Sequence, residues 1–339
     1  MMYVLVYTYG KLIVITDQFP VGGPNNGSRV SFETFISFQR RATILTGAHA
    51  FFTMADIPQV KIAVLGGSTT IGARFPHDYS GVEIIGDNLV YETPFGPTAP
   101  FTHAKYRDKE FLYVDFHGIT REIRNTQPDS SGERVFYVLW KAGVKKILGT
   151  ALCGSTNRLL DPGDAVIPDD FVDFTTKRAQ MLMVSLQDKG LDVQRYSYRL
   201  HQPLCPTLSG HLVEACEEAG FPRVFKRGIV GVAEGPRLES PAEIRLRWQN
   251  MGIDVVTMNL VPEVFFAREI GACYAALELV SNYGEGLVDP RWEGDTAFSE
   301  FQKRWTRPTS EALLRVIEAM DPDDDGCGCS TYRWRSILL

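Results

Sequence analysis

Four short segments carry side chains with chemistry to offer. Gly66-Gly67-Ser68-Thr69 directly follows an apolar run. Glycines allow a tight turn there, and the freed N–H groups and hydroxyls suit an anion; a plain strand-to-loop turn has the same composition. His117 stands just past the run 111–116, in Asp115-Phe116-His117-Gly118. An imidazole at that point reads either as an acid–base group, with Asp115 beside it, or as a packing residue. From Val232 to Glu263 a turn (Glu234-Gly235-Pro236), an amphipathic stretch and an apolar run lead to Met258-Asn259. Ligands of open α/β folds sit at the carboxyl ends of strands. A Met-Asn pair there, with the Glu234 carboxylate on a preceding loop, is therefore a candidate small-molecule site. Asn282 ends a further apolar run, and its amide can donate and accept. As plain structural residues, Met258 would be core, Asn282 a turn residue and Glu234 a solvated charge.

The elements that must position these residues follow from periodicity. Short apolar runs at 61–66, 82–85, 111–116, 146–152, 164–168, 228–233, 253–257 and 273–280 read as strands. Helical patterns occupy 132–143, 206–219, 240–251, 261–270 and 295–320. Strands interleaved with helices predict a single α/β domain over 54–320 with a mixed, largely parallel sheet flanked by helices. Residues 1–53 read as a non-catalytic N-terminal extension, with a clean domain start following Met54. Asp321-Pro322-Asp323-Asp324-Asp325-Gly326 ends the last helix and predicts a flexible tail over 321–339.

Composition narrows the class. Of 339 residues, 44% are apolar and 22% charged, as in soluble globular proteins. A net charge of −6 argues against a nucleic-acid partner. No apolar run reaches the roughly 18 residues of a membrane span. The cysteines at 153, 205, 216, 273, 327 and 329 read neither as a secreted disulfide framework nor as a zinc site, so no metal is expected. Cys153 and Cys273 are expected as buried thiols, and the tail pair Cys327-Gly328-Cys329 as structurally idle. Unpaired cysteines and the lack of a signal-peptide pattern point to the cytoplasm.

The order and spacing of these segments, over 62–317, resemble the purine nucleoside phosphorylase family, and in particular its methylthioadenosine phosphorylase branch, which reads E-G-P-R-F and then M-T-x-V-P-E. The resemblance implies a nucleoside phosphorylase-like fold and phosphorolysis of a purine nucleoside (5′-methylthioadenosine- or inosine-like) to a free base and a ribose 1-phosphate derivative. It implies a homotrimer and inorganic phosphate as co-substrate, with no metal or organic cofactor. It gives Ser68 and Thr69 to the phosphate and runs Ala151, Leu152, Cys153 and Gly154 beneath phosphate and ribose. His117 and Gly118 match the family's R-H-G, but Phe116 stands in place of the arginine, leaving Arg121 and Arg124 as substitutes. Glu234 falls near the purine, Leu238 replaces an aromatic that stacks on the base, and Met258 underlies the ribose. Asn259 replaces a phosphate-binding Thr. Asn282 reads the base at N7, and Gly284 replaces an Asp. Phe298 is assigned to the 5′ end of the ribose, where an ordinary core-facing aromatic is the alternative. Because Phe116 and Asn259 both weaken the phosphate site, a phosphate-independent nucleoside hydrolase or a non-catalytic nucleoside-binding homologue are the other readings.

Overall fold

The computed structural model describes residues 2–8, 11–17, 43–46, 50–70, 74–117, 131–288 and 294–336, with side chains described over 55–70, 74–117, 132–288 and 299–336. In chain order the elements are β1 (Met2–Thr8), β2 (Lys11–Asp17), β3 (Thr43–Thr46), β4 (Ala50–Met54), β5 (Ile62–Gly66), β6 (Val82–Val90), β7 (Phe101–Tyr106), β8 (Lys109–Asp115), α1 (Ser131–Ala142), β9 (Lys146–Ser155), β10 (Ala165–Val166), β11 (Asp170–Asp173), α2 (Leu182–Asp188), β12 (Tyr196–Tyr198), α3 (Pro206–Glu218), β13 (Val224–Phe225), β14 (Ile229–Val232), α4 (Pro241–Met251), β15 (Val255–Thr257), α5 (Glu263–Ile270), β16 (Cys273–Tyr283), α6 (Gly294–Ala319) and β17 (Arg333–Arg335).

One large mixed sheet organises the domain, in the order β11-β14-β15-β9-β5-β8-β7-β6-β4-β3, with β16 alongside β9. β8, β5, β9 and β16 are mutually parallel, so their carboxyl ends share one edge. β5 is buried along its whole length, as a central parallel strand must be. Its alternation divides the core in two. Ala63 and Leu65 face α1 and α5, packing with Leu112, Val114, Phe136 and Phe266. Ile62 and Val64 face α3 and α6, packing with Phe111, Leu212, Leu313 and Ile317. β3 and β4, from the extension, continue the sheet through the parallel pairing of β4 with β6.

Two local features aim the functional edge. The pairing of β9 with β16 slips by one residue, from Cys153↔Val280 to Gly154↔Asn282, leaving Ser281 as a bulge. α4 starts with a capping box: the Ser240 side chain accepts from the Glu243 N–H at 3.3 Å, and the Glu243 carboxylate accepts from the Ser240 N–H at 2.8 Å. This fixes the chain just after Leu238-Glu239.

Residues 321–336, expected as a flexible tail, fold back onto the domain. β17 pairs with β12. Lys61 Nζ meets the Asp323 carboxylate at 2.5 Å, Lys146 Nζ donates to Asp324 O at 2.5 Å, and Arg268 Nη1 donates to Cys329 O at 3.0 Å. The acidic, Gly/Pro-rich composition marks the end of α6, but the cations that receive it come from the starts of β5 and β9 and from α5, far away in sequence. The cysteines, scattered in sequence, also gather: Cys205, Cys273, Cys327 and Cys329 place their sulfurs within 4.8 Å of one another. Cys153 and Cys273 are buried, as expected.

Candidate active site

A cleft of about 310 Å³ opens at the shared carboxyl edge. Leu152, Cys153 and Gly154 from β9 and Val256 to Asn259 from β15 and its exit line one part. Ser68 and His117, following β5 and β8, line another; Ser281, Asn282, Gly284 and Glu285 close the end of β16. Leu238 and Glu239 stand at the opening, Leu238 being 55% exposed.

His117 is held from several sides. Its N–H donates to Gly66 O at 3.0 Å. A Cβ on Gly67 would lie 2.6 Å from the His117 Cβ, so the glycine permits this approach. Nδ1 lies 3.0 Å from Thr150 O, and Nε2 lies 2.6 Å from Glu263 Oε1. A carbonyl only accepts, so the Nδ1 contact requires a hydrogen on Nδ1, while Nε2 faces the Glu263 carboxyl group. Both ring nitrogens are therefore engaged within the protein. His117 lines the cleft, and the Glu263 carboxyl group sets the orientation of its ring. The Leu260 N–H adds a bond of 3.2 Å to the same Glu263 oxygen. Glu278, buried behind, has its pKa pushed up to about 8 by burial and then by the Glu263 charge, so it is a neutral acid at pH 7.

Asn282 has a defined amide orientation. Its Oδ1 accepts from the Ser281 hydroxyl at 2.7 Å, and its Nδ2 donates to Tyr283 O at 3.0 Å, leaving one N–H unspent. The bulge lets Ser281 and Asn282 both face the cleft, which strict strand alternation forbids. Gly284 has no room for a side chain: a Cβ would meet Ser155 O at 2.9 Å and Ile244 Cδ1 at 2.8 Å. Burial raises the Cys153 pKa well above the ordinary thiol range, so that group stays protonated.

Ser68, His117, Leu152, Cys153, Gly154, Leu238, Met258, Asn259 and Asn282 thus meet in one cleft, as the sequence reading placed them. Four others do not line it. Thr69 is buried and donates to the Thr150 hydroxyl at 2.6 Å. Ala151 is buried in β9. Phe116 points into the core, its ring 6.3 Å from that of Phe136, because it shares the α1–α5 face with Leu112 and Val114. Glu234 braces two loops: it accepts from the Thr176 and Lys177 N–H groups at 2.8 and 3.2 Å and lies 3.5 Å from Arg178. Burial pushes its pKa up, but those amide bonds and Arg178 outweigh it and hold the carboxyl below its usual range. Gly118, Arg121, Arg124 and the Phe298 side chain lie outside the described residues; the Phe298 backbone belongs to α6.

Sequence reasoning missed Glu239, Glu285, Val256 and Thr257 as lining residues. Thr257, the last residue of β15, carried the strand-end signal that singled out Met258. Glu239 gave none, since its buried charge is taken up by Arg247 at 2.8 Å, contributed by α4. Gln302 of α6 also escaped notice; its Nε2 donates to Ser68 O at 3.2 Å and ties the helix to the loop after β5.

Fold and cleft together define an α/β protein with a small-molecule site at the carboxyl ends of its parallel strands. Residues 130–318 match the family described as the phosphorylase superfamily. The chain is 30% identical over 277 residues to the 6-oxopurine nucleoside phosphorylase of Pyrococcus furiosus, covering 79% of this chain and 96% of that protein. It is 34% identical over 242 residues to a probable S-methyl-5'-thioinosine phosphorylase of Methanopyrus kandleri (70% and 88% covered). With the S-methyl-5'-thioadenosine phosphorylase of Pyrococcus abyssi it shares 30% over 274 residues (80% and 96%). The chain belongs to the phosphorylase superfamily. Its fold is that of the methylthioadenosine phosphorylase of Schistosoma mansoni in apo form, with a TM-score of 0.64 at 23% identity over 80% of this chain and 95% of that one.

Proposed function

We propose that this protein cleaves the N-glycosidic bond of a purine nucleoside by phosphorolysis, a pentosyl transfer to inorganic phosphate. The C1′–N9 bond breaks ahead of attack, its electron pair passing to the purine. A phosphate oxygen then bonds to C1′ and gives a ribose 1-phosphate derivative. The observation that supports this most directly is the cleft itself. It presents the unspent Asn282 N–H at the end of β16 and the Ser68 and Asn259 side chains elsewhere on the same wall system, with Met258 between apolar and polar lining. The Asn282 N–H is assigned to N7 of the departing base, where negative charge grows and a preorganised donor is most effective. Ser68 and Asn259 are assigned to phosphate, and Met258 to the apolar face of the ribose. The volume suits one small ligand. Relatives that act on 6-oxopurine nucleosides and on 5′-methylthio nucleosides support that substrate class. No cofactor beyond phosphate enters this scheme.

A second reading, hydrolysis without phosphate, draws on one observation. Among the described residues lining the cleft there is neither lysine nor arginine, and Phe116 is turned away. Inosine, adenosine, guanosine and 5′-methylthioadenosine, each incubated with and without phosphate while free base is followed, distinguish the two. Release that ignores phosphate removes the phosphorylase reading; binding without release removes both. No helix among the described residues is long and apolar enough to cross a membrane. We assign the working form to a cytoplasmic homotrimer in which a neighbouring copy covers the exposed Leu238 at the opening; light scattering giving a monomer mass would refute the trimer.

A further inference from the structure

The four-cysteine cluster lies at the opposite end of the sheet from the cleft. Cys273 opens β16 and Lys146 opens β9, the two parallel strands whose far ends form the cleft wall. At about 3.3 Å per residue the ten-residue β9 separates the two places by roughly 30 Å. Cys205 is the residue just before α3, and its N–H donates to Tyr274 O at 2.8 Å. Cys327 and Cys329 arrive from the folded-back tail, with Gly328 at φ 71° between them. Cys205, Cys273 and Cys329 are buried and Cys327 is half-buried. Three distant parts of the chain thus bring four sulfurs within 4.8 Å of one another, with Cys273 and Cys327 3.5 Å apart.

We propose that these four cysteines form a closed, structural zinc site that fastens the tail to the sheet and to α3. A tetrahedral ion with Zn–S bonds near 2.3 Å has S···S edges of about 3.8 Å, the spacing range found here. Four sulfur ligands without a nitrogen or oxygen donor select a soft tetrahedral ion, and four protein ligands leave no open position for catalysis. Binding displaces the four thiol protons to solvent and leaves a net charge of −2 on the ion and its ligands. The Lys146 ammonium, 3.5 Å from the Cys273 sulfur and buried, stands where it offsets that charge. Long separations in sequence conceal the site, because no C-x-x-C pair marks it.

The test is metal analysis of the full chain purified without chelator, together with non-reducing mass and thiol counts. The expected result is about one zinc per chain, with four thiols becoming titratable only when a mercurial or acid releases the metal, and Cys153 and Cys216, both buried, reacting only on unfolding. Zinc should fall at least about tenfold in Cys327→Ser and Cys273→Ser and be retained in Cys216→Ser, whose sulfur lies outside the cluster. Zinc removal should lower Tm by at least about 5 °C. If the serine variants do not fold, replacement of zinc by cobalt in the wild-type chain still decides the matter through the visible bands of a tetrahedral thiolate site. A metal-free chain with six titratable thiols, a chain four hydrogens lighter through two disulfides, or iron in place of zinc would each overturn the proposal.

Discussion

Glu278 gives the fold a pH dependence that runs against the usual behaviour of a carboxyl group. Its side chain is enclosed in the middle of β16, and its Oε2 has no hydrogen-bond partner among the described residues. Burial, then the nearby Glu263 charge, moves its pKa from 4.5 to about 8. Between those values the folded protein holds a proton that the unfolded chain has released. The folded pKa is raised, so stability falls as pH rises through this window. The slope for one proton is ~1.4 kcal/mol per pH unit, and the whole window amounts to about 5 kcal/mol. Glu278→Gln cannot titrate and removes that slope. Urea unfolding of both proteins from pH 5.5 to 8.5 at fixed ionic strength gives the comparison. The stability of the wild type relative to the variant should decline by about 1 kcal/mol or more per pH unit up to neutrality. Glu269, raised to about 7 by burial, titrates in both proteins and cancels in the difference. A constant offset from exchanging an oxygen for NH₂ leaves the slope untouched. Parallel curves would refute the assignment of a neutral Glu278.

Other expected outcomes concern the cleft. Asn282→Ala should reduce kcat for base release by about 10²–10³ through loss of a donor to the leaving group, with Tm nearly unchanged; an unaltered kcat would remove Asn282 from the reaction. Gly284→Asp should lower both Tm and activity, since the new Cβ would stand 2.9 Å from Ser155 O; differential scanning calorimetry that shows an unshifted transition would contradict the close packing. Phe116→Arg should destabilise by roughly 3 kcal/mol or more in urea and fail to raise phosphate-dependent cleavage, because position 116 faces the α1–α5 core. A rise in that activity would show that the arginine reaches the cleft.

The fold was legible where one signal dominated. β5 is an uninterrupted apolar run because both its faces are covered, and the Ser240–Glu243 pair announces α4 before its first turn. β7 (Phe101–Tyr106) mixes His and Lys into its pattern, and β13 is two residues long, so periodicity had too little to work with. α2, seven residues long, was hidden for the same reason. In the site, strand-end position identified Met258 and Asn282 because topology alone puts such residues at the cleft. Phe116 was misplaced although the alternation 112, 114, 116 already carried the answer. The engagement of His117 by Glu263, the bracing of Glu234 by Arg178 and the gathering of the cysteines are contacts between distant segments, with no local trace in the chain.

The one-residue slip at Ser281 makes the recognising unit a dipeptide. Ser281 fixes which end of the Asn282 amide is presented, because its hydroxyl occupies the Asn282 oxygen. The Tyr283 carbonyl holds the other end of the amide at 3.0 Å, so alanine at 281 would remove one of its two restraints. The polarity that the Asn282 amide offers to the cleft is thus set by its two neighbours in sequence, Ser281 at the oxygen and Tyr283 at the nitrogen.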